Sequence, residues 1–103
     1  MHKFIFFVPD SHVEIVKNAI FNAGGGKIGE YSHCAWQVLG QGQFKPLAGS
    51  NPYSGTIDAL KTVPEWRVEL VVADDLIMDA VHAMKSAHPY EVPAYDVIKL
   101  ADF

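Results

Sequence analysis

The sequence predicts an α+β fold in which an antiparallel sheet, strung in the order β-α-β-β-α-β, carries two helices on one face. Three observations predict it. Lys3 to Val8 (KFIFFV) is a short β-branched and aromatic run closed by Pro9. Trp66, Val68, Leu70 and Val72 alternate with Arg67 and Glu69, the period-two pattern of a half-buried strand. Apolar residues also recur twice at helical spacing, at Val13, Val16, Ala19, Ile20 and Ala23 and again at Leu76, Ile77, Ala80, Val81, Met84 and Ala87.

The first strand has apolar side chains on both faces, Phe4, Phe6 and Val8 on one and Ile5 and Phe7 on the other, which places it at the centre of the sheet. Ser11, with Glu14 three positions on, makes a capping-box signal for a helix from about Ser11 to Ala23. Gly24-Gly25-Gly26 then stops that helix. A phosphate-cradling loop would need its glycines ahead of a helix and its lysine followed by Ser or Thr, whereas these glycines follow a helix and Lys27 precedes Ile28.

Tyr31 to Leu39 is expected as a strand, and after Gly40-Gln41-Gly42 a shorter strand, Gln43 to Leu47, is expected to fold back as a hairpin. GSNPYSG (49–55) is dense in turn formers, and the Trp66 to Val72 strand follows. Asp74 or Asp75 is expected to cap the second helix, with Met78 and Met84 as core filler and His82 on the solvated face. Ala94 to Leu100 makes the last strand.

The whole is the split βαβ, or ferredoxin-like, arrangement with a hairpin or loop insertion between the second and third core strands, and residues 1–103 are expected to form one domain. Its helices cover one face only, so the second apolar face of the first strand calls for a partner. A homo-oligomer supplies one.

Composition narrows the function classes. Half of the 103 residues are apolar and 19% are charged, the profile of an ordered globular chain. Net charge is −4 and the basic residues are spread singly, so no nucleic-acid footprint is visible. The apolar start, Met1 to Val8, is far shorter than a membrane span and is broken by Pro9-Asp10, which leads us to expect a soluble, cytoplasmic protein with no membrane partner. Cys34 stands alone, so no internal disulfide can form.

The chemistry-bearing residues concentrate in HPYEVPAYDV (88–97). Pro89 biases His88 away from helical angles and Pro93 does the same to Val92, so the stretch first of all makes a stiff corner that ends the second helix near His88. A functional reading brings His88, Glu91 and also Asp96 to His33 or Cys34 as a metal or acid/base site, with His33, His88 and Glu91 as the ligands if a divalent metal is held. No HxxxH, CxxC or HExxH supports it. Cys34 and His33 are neighbours on an expected strand and would face opposite ways, which excludes them as a nucleophile and base.

Three runs carry a family resemblance: GGGKIGEYSHCAWQVLGQGQFKPLAGSNPYSG (24–55), VPEWRVELVV (63–72) and AMKSAHPYEVPAYDVIKL (83–100). Within them, GxGxFxPxxGxNPxxG is matched from Gly40 to Gly55 and HPYExPAYD from His88 to Asp96. The chain resembles the insert domain of the NIF-three-like family. That resemblance implies a PII-like or CutA-like ferredoxin fold, trimeric by analogy. It also implies that the family's two-metal centre lies in flanking domains, so that no established catalytic residue maps onto this sequence.

The resulting expectation is a non-enzymatic, oligomeric regulatory or small-ligand-binding module that also has room for a protein partner. Its candidate ligand-binding residues are His33, Cys34, Gly40, Gly42, Phe44, Asn51, His88, Tyr90, Glu91 and Tyr95. The second reading is a CutA-like divalent-metal-binding protein using the His33, His88 and Glu91 region. A hydrolase or cyclohydrolase ranks last, because no full catalytic set can be assembled.

Overall fold

The computed structural model describes residues 1–103. Its elements run β1 (His2–Pro9), a 3-10 turn (Asp10–His12), α1 (Val13–Asn22), β2 (Trp36–Phe44), β3 (Lys61–Val72), α2 (Ile77–Ala87) and β4 (Tyr95–Lys99). The sheet order is β2-β3-β1-β4, antiparallel throughout, which is the ferredoxin-like arrangement. Central β1 pairs with β3 over its whole length and with β4 from His2 to Phe6.

The core lies between the sheet and the two helices. Phe4, Phe6 and Val8 of β1 and Val68, Leu70 and Val72 of β3 meet Val13, Val16 and Ile20 of α1 and Ala80 and Met84 of α2. Strand side chains alternate, so every second residue of β1 enters this layer and the residues between enter the other face. Met78, expected as filler, is 84% exposed, because α2 turns it to solvent while Met84 points inward.

Several boundaries differ from the sequence expectation, each for a local reason. Ser11 sits inside the 3-10 turn, where its hydroxyl bonds His12 Nδ1 at 2.8 Å, so the capping box does not form and α1 begins at Val13. Asp74 does not cap α2 either. Its carboxylate pairs with Lys99 of β4 and with the N-terminal ammonium, which hold it well below the usual carboxylate range, and α2 starts uncapped after Leu76. Residues 31–35 are not strand. Gly40-Gln41-Gly42 is not a turn, because β2 continues through it to Phe44, paired residue by residue with β3 from Glu69 back to Lys61. The expected extra hairpin is therefore absent, and the insertion reduces to residues 45–60.

β1 ends opposite Glu65, so β2 and β3 continue beyond it as a two-stranded arm. The arm gives the molecule its elongated shape, 46 × 24 × 24 Å. Trp66 anchors its base, donating its indole N–H to Asp10 Oδ1 at 2.7 Å.

After α1 the glycine turn is tied down on both sides. Gly26 donates to Val71 O and accepts from the Cys34 N–H, both at 2.8 Å. Its φ is +77°, and a Cβ there would come within 2.9 Å of Cys34 O. Gly26→Ala therefore combines an unfavourable backbone region with a clash against main chain, and is expected to cost about 2 kcal/mol or more. A urea-unfolding midpoint unchanged from wild type would contradict this account.

Candidate functional site

The site is built where the insertion folds back onto the α2–β4 corner. Residues 45–60 hold their own shape through turns: Asp58 donates to Pro46 O at 2.7 Å, and Ser50 reaches Leu47 O through both its N–H and its hydroxyl. Asn51 N–H then crosses to Glu91 Oε1 at 3.2 Å, a contact 40 residues apart in sequence. This bond ties the insertion to the corner beside a half-open cavity of about 400 Å³.

One wall of the cavity is aromatic. Phe44 from the end of β2, Tyr53 from the insertion and Tyr90 from the corner lie with Tyr90 between the other two, its ring centroid 6.2 Å from Phe44 and 6.1 Å from Tyr53. Pro46, Leu47 and Pro52 extend the apolar lining. Two carboxylates complete it, Glu65 of β3 and Glu91 of the corner. Burial pushes the Glu65 carboxyl up from its ordinary value, and burial together with Glu65 and Tyr53 pushes the Tyr90 phenol up.

Gly42 makes room for one of these carboxylates. A Cβ on Gly42 would lie 2.5 Å from Glu65 Oε1, so the missing side chain is the space the carboxylate occupies. This explains a glycine in mid-strand that the sequence marks as a turn.

His88 holds the corner from beneath. It is 7% exposed, its Nε2–H donates to Phe7 O of β1 at 2.7 Å, and its Nδ1 accepts the Tyr90 N–H at 3.1 Å. These two bonds require the neutral ring with the proton on Nε2. Burial lowers the His88 pKa, partly offset by the bond to Phe7 O. With both ring nitrogens engaged, His88 has no lone pair for a metal.

The other candidate residues separate. Phe44, Tyr90 and Glu91 line the cavity, and Asn51 braces it. Gly40 pairs with Glu65 at the base of the arm and borders a separate depression with Leu39, Gln41 and Thr62. Tyr95 packs edge-on to Phe4, with ring centroids 6.1 Å apart, and borders the core.

His33 and Cys34 belong to the glycine turn: the His33 ring packs 4.7 Å from Phe21, and Cys34 is bonded to Gly26. That turn meets β3 at Val71, six residues or roughly 20 Å along the strand from Glu65. The expected metal set of His33, His88 and Glu91 is therefore not assembled, and no group of three His, Cys, Asp or Glu side chains is placed to hold a metal ion. The strand argument against a His33 and Cys34 pair also falls, since β2 starts at Trp36 and His33 has φ +59°. Its Nδ1 is bonded to Ser32 Oγ at 2.9 Å. Glu65 and Tyr53 are lining residues the sequence does not single out: Glu65 stands just before the Trp66–Val72 alternation, and Tyr53 lies within the turn-forming GSNPYSG.

No helix is long and apolar enough to cross a membrane. The sheet order and the covered and open faces define a ferredoxin-like domain of the CutA and PII type. CutA1 from Pyrococcus horikoshii shares this fold, with TM-score 0.72 and 19% identity over 100% of this chain and 86% of that one. The sequence points to a more particular relative. A GTP cyclohydrolase 1 type 2 homolog of Mycobacterium leprae is 46% identical over 100 residues, 97% of this chain. A Bacillus cereus protein related to NIF3 superposes with TM-score 0.84 and 40% identity over 98% of this chain. The chain is thus homologous to a segment of the NIF3-related proteins, the family its motifs resemble, and spans 26% of the length of each of these two relatives. No family model matches it.

The His88 bonds make two measurable claims. His88→Ala is expected to cost about 2–3 kcal/mol in urea unfolding, since it strands the Phe7 carbonyl and the Tyr90 N–H. Because the folded-state pKa is lowered, the unfolded state takes up a proton first. The stability His88 confers is complete above its ordinary pKa of 6.5 and declines as pH falls through it. Urea unfolding of wild type and His88→Gln from pH 7.5 to 5.5 should show a steeper loss in wild type; parallel curves would refute the assignment.

Proposed function

We propose that this chain is a non-enzymatic, oligomeric ligand-binding module whose small-molecule site is the cavity between the insertion and the HPYEV corner. The observation that carries this reading is the convergence there of three rings and two carboxylates from four separated parts of the sequence, around a volume in the range of small-ligand sites. His88 holds the corner rigid from beneath, so the cavity is pre-formed, which reduces the entropy lost when a ligand binds. The activity named in the M. leprae relative's description is not assigned to this segment, which covers about a quarter of that protein.

The open face of the sheet supports the oligomeric half of the reading. Trp36 and Val38 of β2 and Ile98 of β4 are 59%, 44% and 49% exposed, and they flank Ile5 and Phe7 of β1 on the face without helices. A second copy would cover these side chains, with Arg67, Glu69 and Asp96 among them to set the register.

Thermal unfolding across a panel of nucleotides, amino acids, amines and divalent metals tests the site, with Tyr90→Leu beside wild type. A ligand at about 100 times its dissociation constant adds about 2.7 kcal/mol to the folded state, a readily seen shift for a domain of this size. The expected result is a shift in wild type that Tyr90→Leu loses. A shift kept by the variant would place binding elsewhere. Sedimentation velocity tests the open face: wild type should sediment as an oligomer and Trp36→Lys/Val38→Glu as a monomer. A monomeric wild type would end the oligomeric half of the proposal.

A further inference from the structure

The chemistry of the cavity points to its ligand, and we infer that it takes a small organic ammonium cation, held by the Glu65 and Glu91 carboxylates against the rings of Phe44, Tyr53 and Tyr90. The inference rests on the ligand-binding reading above and adds the class of ligand.

Charge comes first. Glu65 is partly buried and has no hydrogen-bond or ion-pair partner in the chain. Glu91 spends one oxygen on the Asn51 N–H and keeps the other free. Lys45 is the single cation of the lining, is exposed, and pairs with neither. The cavity therefore holds two carboxylates that the chain itself leaves uncompensated.

Each class of ligand meets those carboxylates differently. An anion such as a nucleotide phosphate would be repelled by both. A neutral apolar molecule would strip water from Glu65 without replacing it, which is unfavourable for an ionised group. A bare divalent metal would find two carboxylates, one of them already bonded to the Asn51 N–H, and no third His, Cys, Asp or Glu side chain to join them. An organic ammonium compensates the charge, and its alkyl groups fill the apolar lining.

The rings favour the same class. The face of an aromatic ring is its negative side and attracts a cation brought within about 6 Å of the centroid. Tyr90 is tilted 51° to Phe44 and 49° to Tyr53, so no two of the three rings are stacked parallel, although the His88 ring packs 4.9 Å from Tyr90 and the His12 ring 5.8 Å from Tyr53. A volume of about 400 Å³ admits a choline-sized or diamine-sized cation. Gly42 belongs to the same design, because it leaves the space in which the Glu65 carboxylate sits.

Isothermal titration of the full chain with choline, putrescine and 3,3-dimethylbutan-1-ol, the uncharged isostere of choline, tests the inference. At least one cation is expected to bind about tenfold or more tighter than the neutral alcohol, and Glu65→Gln is expected to weaken it by about tenfold. Gly42→Ala, which displaces the carboxylate without removing its charge, should weaken it as well while leaving the unfolding midpoint near that of wild type. Equal binding of alcohol and cation, or indifference to Glu65→Gln, would overturn the cation class. If neither cation binds but another compound does and loses its affinity in Tyr90→Leu, the cation class falls and the site stands. If no compound binds in a Tyr90-dependent way, both fall.

Discussion

Every part of this molecule leans on β1. It is hydrogen-bonded on both edges, to β3 over eight residue pairs and to β4 over five, and its alternate side chains Phe4, Phe6 and Val8 are fully buried in the helix-side core. Burying a large apolar side chain is worth about 1.5–3 kcal/mol, so three of them in one strand outweigh any single polar contact in the chain. The same strand reaches the site. Beyond its last β4 pair, Phe7 donates to Ala94 O and accepts from His88, so the corner carrying Tyr90 and Glu91 is fastened to the most buried strand.

This fastening separates two kinds of polar residue in HPYEV. His88 spends both ring nitrogens on the main chain, and burial lowers its pKa, so its role is positional. Tyr90 and Glu91, one and two residues beyond Pro89, present their side chains to the cavity. One short motif therefore contains both the foundation of the site and part of its lining. The other rings and carboxylate of the lining, Phe44, Tyr53 and Glu65, come from elsewhere in the chain.

The arm and the glycines within it show why local signals can be read in two ways. Gly40-Gln41-Gly42 has the composition of a turn, yet the sheet register carries it straight through as strand, and Gly42 is used for the close approach of Glu65. Likewise Ser11 and Asp74 are good caps by type, but a 3-10 turn absorbs the first and a cross-strand cation the second. A competing contact won in each case, local for Ser11 and tertiary for Asp74, because a cap worth about 1 kcal/mol does not decide where a chain enters a packed layer.

The sequence by itself determined the fold. The apolar alternation of β1 and β3, the two helical stripes and the glycine stop after α1 are one-dimensional patterns, and burial converts them directly into layers. It also determined that the second helix ends at His88, whose φ and ψ are −77° and 138°, because the constraint that Pro89 imposes is local. What only the tertiary structure decided is the site. That His33 and Cys34 sit at one end of β3 while Glu91 meets Asn51 at the other, and that Glu65 faces a glycine beside Tyr90, follow from contacts between residues tens of positions apart. Periodicity carries the direction of a side chain within its own element, but which elements meet at a given point depends on the path of the whole chain.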